Sequence, residues 1–203
     1  MFRLGQRRAS NRGDRQDRIP LTLHGSRLTL RPMEPDDIAP LHAILKLDDV
    51  KAWWGQYDSA DEIYEDFLDR SDATLAFSIE FEGSIIGGLQ LWQELEPDYR
   101  HAGFDIFLDP ATHGQGLGVE AIQLATRYAF DVLGHHRVII DPALANTRGI
   151  RAYQKAGFRI VGELRNYERG LDGTWHNNVL MEITRDDYYP VSDPPRGTGL
   201  PTA

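Results

Sequence analysis

The chain has 203 residues, 41% of them apolar and 26% charged, which fits one globular domain with tails. The net charge is −9, and the lack of any cysteine excludes a disulfide framework, a thiolate metal site and a cysteine nucleophile. No apolar run is long enough to cross a bilayer, so a cytoplasmic protein with no membrane partner is expected. Charge is unevenly spread. Residues 1–19 hold six arginines against two aspartates, which leaves −13 on the rest of the chain. An acidic body repels nucleic acid and attracts cations, so no nucleic-acid partner is expected either. Residues 1–20 lack an apolar signal core and read as a disordered basic arm. Residues 21–188 read as a single domain, and 189–203, with four prolines, as a second tail.

In chain order, residues 26–31 alternate like a half-buried strand, and Pro35-Asp36-Asp37 opens a helix carrying Ile38, Leu41, Ile44 and Leu45 at helical spacing. A second amphipathic segment spans about 59–70. Two strands at 74–81 and 85–92 flank Glu82-Gly83, a hairpin turn, and 103–108 is a further strand. A glycine-rich loop then leads into a helix over 116–133, followed by a strand at 137–141 and a helix at 146–156. Strands at 160–167 and 175–183 complete the pattern around the turn Leu171-Asp172-Gly173. This order predicts an α/β (α+β) fold: a mixed, mostly antiparallel sheet of six to seven strands flanked by about four helices, with one β-α-β unit in the middle.

The segment His113-Gly114-Gln115-Gly116-Leu117-Gly118 lies between a strand and a long helix. Such a junction aims unpaired amides and the positive end of a helix dipole at one spot, and glycines let an anion approach the backbone. A pyrophosphate is the expected ligand. Neither the Walker signature nor the dinucleotide fingerprint is present. A turn serving only chain reversal is the alternative.

The loop resembles the Q/R-x-x-G-x-G/A motif of GNAT acetyltransferases, with Gly116 and Gly118 in the glycine places and His113 where Gln or Arg is usual. Asn146 to Phe158 is similar to the N-x-x-A-x-x-x-Y-x-K-x-G-F stretch of the same superfamily. The resemblance implies a GNAT fold, acetyl-CoA as cofactor, and residues 113–118 as its phosphate cradle. It further implies that Ile106, Phe107 and Leu108 lie along the pantetheine arm, that Asn146 contacts coenzyme A, and that Tyr153 donates to the leaving sulfur. A phenol suits that role because it stays protonated at neutral pH. Without the motif, Tyr153 reads as a half-buried aromatic on an inner helix face.

Asp105 stands inside a β-rich run where aspartate is disfavoured, and alternation puts it with Phe107 on the face opposite Phe104, Ile106 and Leu108. On the GNAT resemblance it would lie near the thioester and accept the proton of the substrate ammonium; otherwise it is a solvated strand aspartate. With no cysteine and no Ser-His-Asp constellation, direct transfer through a ternary complex is expected.

Four places are similar to aminoglycoside 6′-N-acetyltransferases: Val50-Lys51-Ala52-Trp53-Trp54-Gly55, Gly103-Phe104-Asp105, Asp141-Pro142 with Asn146, and Ile150 through Phe158. This likeness implies that Trp53, Trp54, Asp105 and Asp141 bind a polycationic amine, with Glu94 in the following loop as a further candidate. Trp53 and Trp54 could equally pack under the loop, Asp141 could merely end a strand, and Glu94 could be solvated. Residues 163–167 and 173–175 look more like the ribosomal-protein and polyamine branch, and a W-W element also occurs in siderophore hydroxylysine acyltransferases. A non-catalytic acetyl-CoA sensor is the alternative from another class. The histidines show no metal-ligand spacing, so no metal is expected, and the chain is expected to be a monomer or homodimer.

Overall fold

The computed structural model describes residues 22–69 and 73–189, so the basic arm and all but the first residue of the proline-rich tail lie outside the described residues. Strand β2 (Leu28–Pro32) buries Leu28 and Leu30 and pairs antiparallel with β3 (Thr74–Phe81). β3 and β4 (Ser84–Glu94) form the expected hairpin, with Glu82 and Gly83 at φ of 49° and 77°, as a two-residue loop of primed type demands. β4 pairs with β5 (His101–Leu108), and β5 runs parallel to β6 (Arg137–Ile140) after the crossover helix α4 (Leu117–Asp131). β6 pairs with β8 (Trp175–Thr184), and β7 (Arg159–Arg169) forms the edge.

The mixed, mostly antiparallel sheet expected from the sequence is present, with eight strands among the described residues in the order β1 (Leu23–His24), β2, β3, β4, β5, β6, β8, β7. The strand beyond the expected six to seven is β1 (Leu23–His24), only two residues long and so without a periodicity to read. Helices α1 (Ile38–Leu45), α3 (Ala60–Phe67), α4 and α5 (Thr147–Lys155) fall where they were expected. Two more appear. α2 (Asp48–Trp54) turns Val50 and Trp54 inward and stops at Gly55, whose φ is 81°; two turns are too few to declare a period. α6 (Arg185–Tyr188) is one turn held by a capping box between Thr184 and Asp187.

Each face of the sheet buries its own core. α4 and α5 cover Leu30, Phe77, Leu91, Phe104 and Met181, and α1 to α3 cover Ala76 and Phe107. Under α1 the buried Asp37 accepts from Arg31 at 2.6 and 2.7 Å, from Ser78 at 2.7 Å and from the Glu34 N–H at 2.8 Å. Burial alone would raise its pKa; the Arg31 guanidinium and these hydrogen bonds reverse that and hold it below the usual carboxylate range.

One departure from regular pairing positions the site. β5 stays with β4 as far as Leu108, opposite Gly87, but pairs with β6 only at Ala102↔Val138 and Gly103↔Ile139. Beyond Gly103 the two parallel strands part, and the sheet opens into a cleft.

Candidate active site

The cradle at the head of α4 is made of backbone. Gly116 takes the left-handed conformation at φ 79° and leaves the helix N-terminus without a side-chain cap. The start of α5 differs: the Asn146 side chain accepts from the Gly149 N–H at 2.9 Å and consumes one of its free amides. Arg27, from the turn before β2, steadies the cradle. Its Nη1 donates to the Gln115 carbonyl at 2.8 Å, while its Nε donates to Glu120 in the first turn of α4 at 3.0 Å.

A cavity of about 550 Å³ runs from this cradle into the opened sheet. Of the residues singled out in the sequence, Trp53, Trp54, Ile106, Phe107, Leu108, His113, Gly114, Gly116, Leu117, Gly118, Asn146 and Tyr153 line it. Gln115 does not, its carbonyl turning out to Arg27, and neither Asp105 nor Asp141 reaches the lining. His113 is held toward its neutral form, first by desolvation and then by Arg148. Arg148, Arg151 and Lys155 of α5 also line the cavity and place a cationic wall across from the glycines. Sequence reasoning passed over them; their one-face spacing on a helix starting at the motif asparagine was the clue available.

β5 presents an open edge to the cleft. The bond from the Asp109 N–H to the Ile86 carbonyl fixes the register with β4, so the amide and carbonyl groups of residues 104, 106 and 108 turn away from β4. Trp54 donates its indole N–H to the Ile106 carbonyl at 3.2 Å and stacks on Phe67. Trp54 is therefore buried and braces the opened strand, while half-buried Trp53 faces the cavity.

Asp105 and Asp141 occupy register-equivalent positions, each two residues beyond the last pair, Gly103↔Ile139. Both stand where the strands have parted, outside the lining of the cavity itself. Tyr153 of α5 feels both: burial first, then the charges of Asp105 and Asp141, push its phenol pKa well up, so it keeps its proton at neutral pH. Tyr167 of β7 is half-buried next to the same charges and donates its hydroxyl to Asp141; its pKa is likewise raised, by desolvation, by that bond and by Asp141, Asp105 and Glu168.

Glu94 is not brought to the cleft. It lies exposed at the far end of β4, opposite His101, and accepts from the Glu96 N–H at 2.9 Å. The face of β5 beside Asp105 instead carries Trp92, which sequence reasoning missed. A Cβ built on Gly103 would stand 2.2 Å from the Trp92 ring, so glycine here lets the indole lie flat across the strand. His101 meets that ring edge-on with centroids 5.5 Å apart and fixes its tilt. Among the described residues no group of three potential metal ligands occurs, and no helix is long and apolar enough to cross a membrane.

A mixed sheet opened at a parallel strand pair, with an uncapped glycine cradle beside the opening, is built to receive a phosphate-bearing ligand. Residues 27–159 match the family model described as acetyltransferase (GNAT) domain, and the chain belongs to that family: it is an N-acetyltransferase. It is 30% identical over 184 residues to the spermidine N(1)-acetyltransferase of Escherichia coli K12, spanning 86% of this chain and 95% of that protein. Two solved structures superpose well. Spermidine N-acetyltransferase from Vibrio cholerae in complex with CoA and spermine has a TM-score of 0.70 and 26% identity, covering 81% of this chain and 99% of that one. The aminoglycoside acetyltransferase AAC(6')-Ib in complex with paromomycin and acetyl-CoA has a TM-score of 0.69 and 25% identity, covering 83% and 100%.

Proposed function

We infer that the enzyme transfers acetyl from acetyl-CoA to a primary amine of a polycationic small molecule, the 6′-amine of an aminoglycoside being the preferred acceptor. The observation that carries this is that Asp105 and Asp141 stand at equivalent positions where β5 and β6 part, both close enough for their charges to act on Tyr153 in the cavity wall. Half-buried carboxylates grouped in this way attract ammonium groups. Acetyl-CoA supplies an acyl carbon activated as a thioester. The residues present fit such a carrier: the amides of 114–118 and the Arg148, Arg151 and Lys155 wall suit its phosphates, and the edge of 106–108 that has left β6 suits its amide-bearing arm, the Ile106 carbonyl being shared with Trp54. Asn146 caps α5 and lines the same cavity.

The chemistry asked of the side chains is then limited. Asp105 holds the incoming ammonium and accepts its proton, directly or through water. Tyr153 Oη, protonated at neutral pH, stands as hydrogen-bond donor for the departing thiolate. Attack is direct, since the chain has no cysteine to carry the acyl group. The indoles of Trp53 and Trp92, each half-buried, offer faces to a sugar ring or an ammonium. That aromatic surface favours a ring-bearing acceptor over a flexible chain.

A linear polyamine is the second reading, supported by the Escherichia coli relative, a spermidine N(1)-acetyltransferase 30% identical over most of both chains. Acetyl-CoA-dependent thiol release with kanamycin, tobramycin and spermidine separates the two. Turnover confined to spermidine removes the aminoglycoside assignment, and silence with all three removes the polycation reading.

A further inference from the structure

The turn before β2 is wrapped around a side chain of α4. Gly25 donates its N–H to the Leu28 carbonyl at 2.8 Å, and the residues between them close on the Glu120 carboxylate. Glu120 Oε1 accepts from the Ser26 hydroxyl at 3.0 Å and from the Arg27 N–H at 2.8 Å, while Oε2 accepts from Arg27 Nε at 3.0 Å. A Cβ on Gly25 would stand 2.4 Å from Oε1 and displace it. The Glu120 side chain is only 14% exposed, so it holds the outer Arg27 guanidinium in one place.

From there Arg27 Nη1 donates to the Gln115 carbonyl at 2.8 Å. A trans peptide is planar, with its C=O and N–H on opposite sides. Gly116 lines the cavity and Arg27 does not. Drawing the Gln115 carbonyl out to Arg27 therefore turns the Gly116 N–H the other way, toward the cavity. Gly116 stands at φ 79° and ψ 1°, the values of the third residue of a type II turn. A type I turn differs by half a rotation of the peptide before that residue, and glycine tolerates either form. The local sequence thus permits two orientations of the Gln115–Gly116 peptide, of which one aims its N–H at a ligand.

We propose that Arg27 is a positioning residue for acetyl-CoA: through the Gln115 carbonyl it latches the central peptide of the cradle with its N–H facing the phosphates of the carrier. It touches no reacting atom. The same contact ties down the Glu120 carboxylate, which in the first turn of α4 would otherwise compete with a phosphate for the positive end of the helix. Releasing the latch leaves the edge of β5 as it is and lets the peptide rotate, so affinity falls with the fraction of molecules still correctly turned. This rests on the phosphate reading of the cradle and names what fixes its geometry.

The test is calorimetric titration of coenzyme A into the wild type, Arg27→Met and Glu120→Gln, with pantetheine, which has the arm and no phosphates, measured by competition in the same three proteins. Arg27→Met should bind coenzyme A about tenfold more weakly. Glu120→Gln should bind it several-fold more weakly although a negative charge has been removed, because the amide turns a donor toward Arg27 Nε. Pantetheine should bind all three alike. Unchanged coenzyme A affinity in Arg27→Met overturns the latch, and so does tighter binding by Glu120→Gln, which would leave charge alone at work. Pantetheine and coenzyme A weakened by the same factor also overturn it, as a general loss of structure. A wild type that binds pantetheine as tightly as coenzyme A overturns the phosphate reading itself, whatever the variants do.

Discussion

The proposed phosphate cradle is a run of six consecutive residues at one helix end, whereas the proposed acceptor side draws Asp105 from β5, Asp141 from the end of β6, Tyr153 from α5, and Tyr167 and Glu168 from β7. On the proposed assignment the cradle binds through amides whose direction is set by local backbone, with His113 the one side chain in it whose charge bears on the ligand. The acceptor side binds through carboxylates whose spacing is set by how far two strands part. The cradle can be damaged without touching chemistry; the acceptor side cannot.

The largest expected effect breaks that comparison at Asp105. Asp105→Asn should lower turnover by about 10²–10⁴-fold, the usual worth of a positioned acid or base, with acetyl-CoA affinity unchanged. A variant that turns over normally removes Asp105 as the base. Tyr153→Phe should slow the single-turnover rate in the same sense, and an unaltered rate takes the phenol out of the mechanism.

Gly116→Val tests the cradle itself. Forcing a β-branched residue to φ 79° costs about 1–3 kcal/mol, so coenzyme A affinity should fall by about tenfold while acceptor affinity in the remaining complex holds. Equal loss of both ligands would mean that the two sides are not separable.

Gly103→Ala acts on the acceptor side alone. Its new Cβ cannot coexist with the Trp92 ring 2.2 Å away, so the indole must leave the strand. The Michaelis constant for the acceptor should rise several-fold, with the coenzyme A dissociation constant unmoved; no change would strip Trp92 of a part in recognition.

The smallest effect sharpens the picture of the cradle. Desolvation and Arg148 favour neutral His113 in the free enzyme, whereas bound phosphates favour its cation, so binding takes up a proton. Coenzyme A affinity should therefore rise as pH falls through the histidine range, between about pH 8 and 5, by a few-fold. His113→Gln should flatten that slope, and an equally steep profile in the variant assigns it to another group.

Much of the fold was legible because it is written in short-range terms. Glu82-Gly83 declares its hairpin, Ser59 accepts from the Glu62 N–H as an N-cap should, and the apolar spacing of α4 needs no partner to be seen. α2 and α6 escaped because seven and four residues carry too little period, and β1 because it has only two. In the site, Asp105 announced itself by opposing strand propensity, but Trp92 looked like any aromatic in a strand until Gly103 was seen beneath it.

By itself the sequence determined the glycine cradle, the order of strands and helices and the candidate acid, since each depends on residues near one another along the chain. Only the tertiary structure decided where β5 leaves β6, that Trp54 braces the opening, and that Tyr167 and Asn178 reach Asp141 from 26 and 37 residues away. Those contacts depend on the register of paired strands, which is fixed by packing the whole sheet against its two layers of helices.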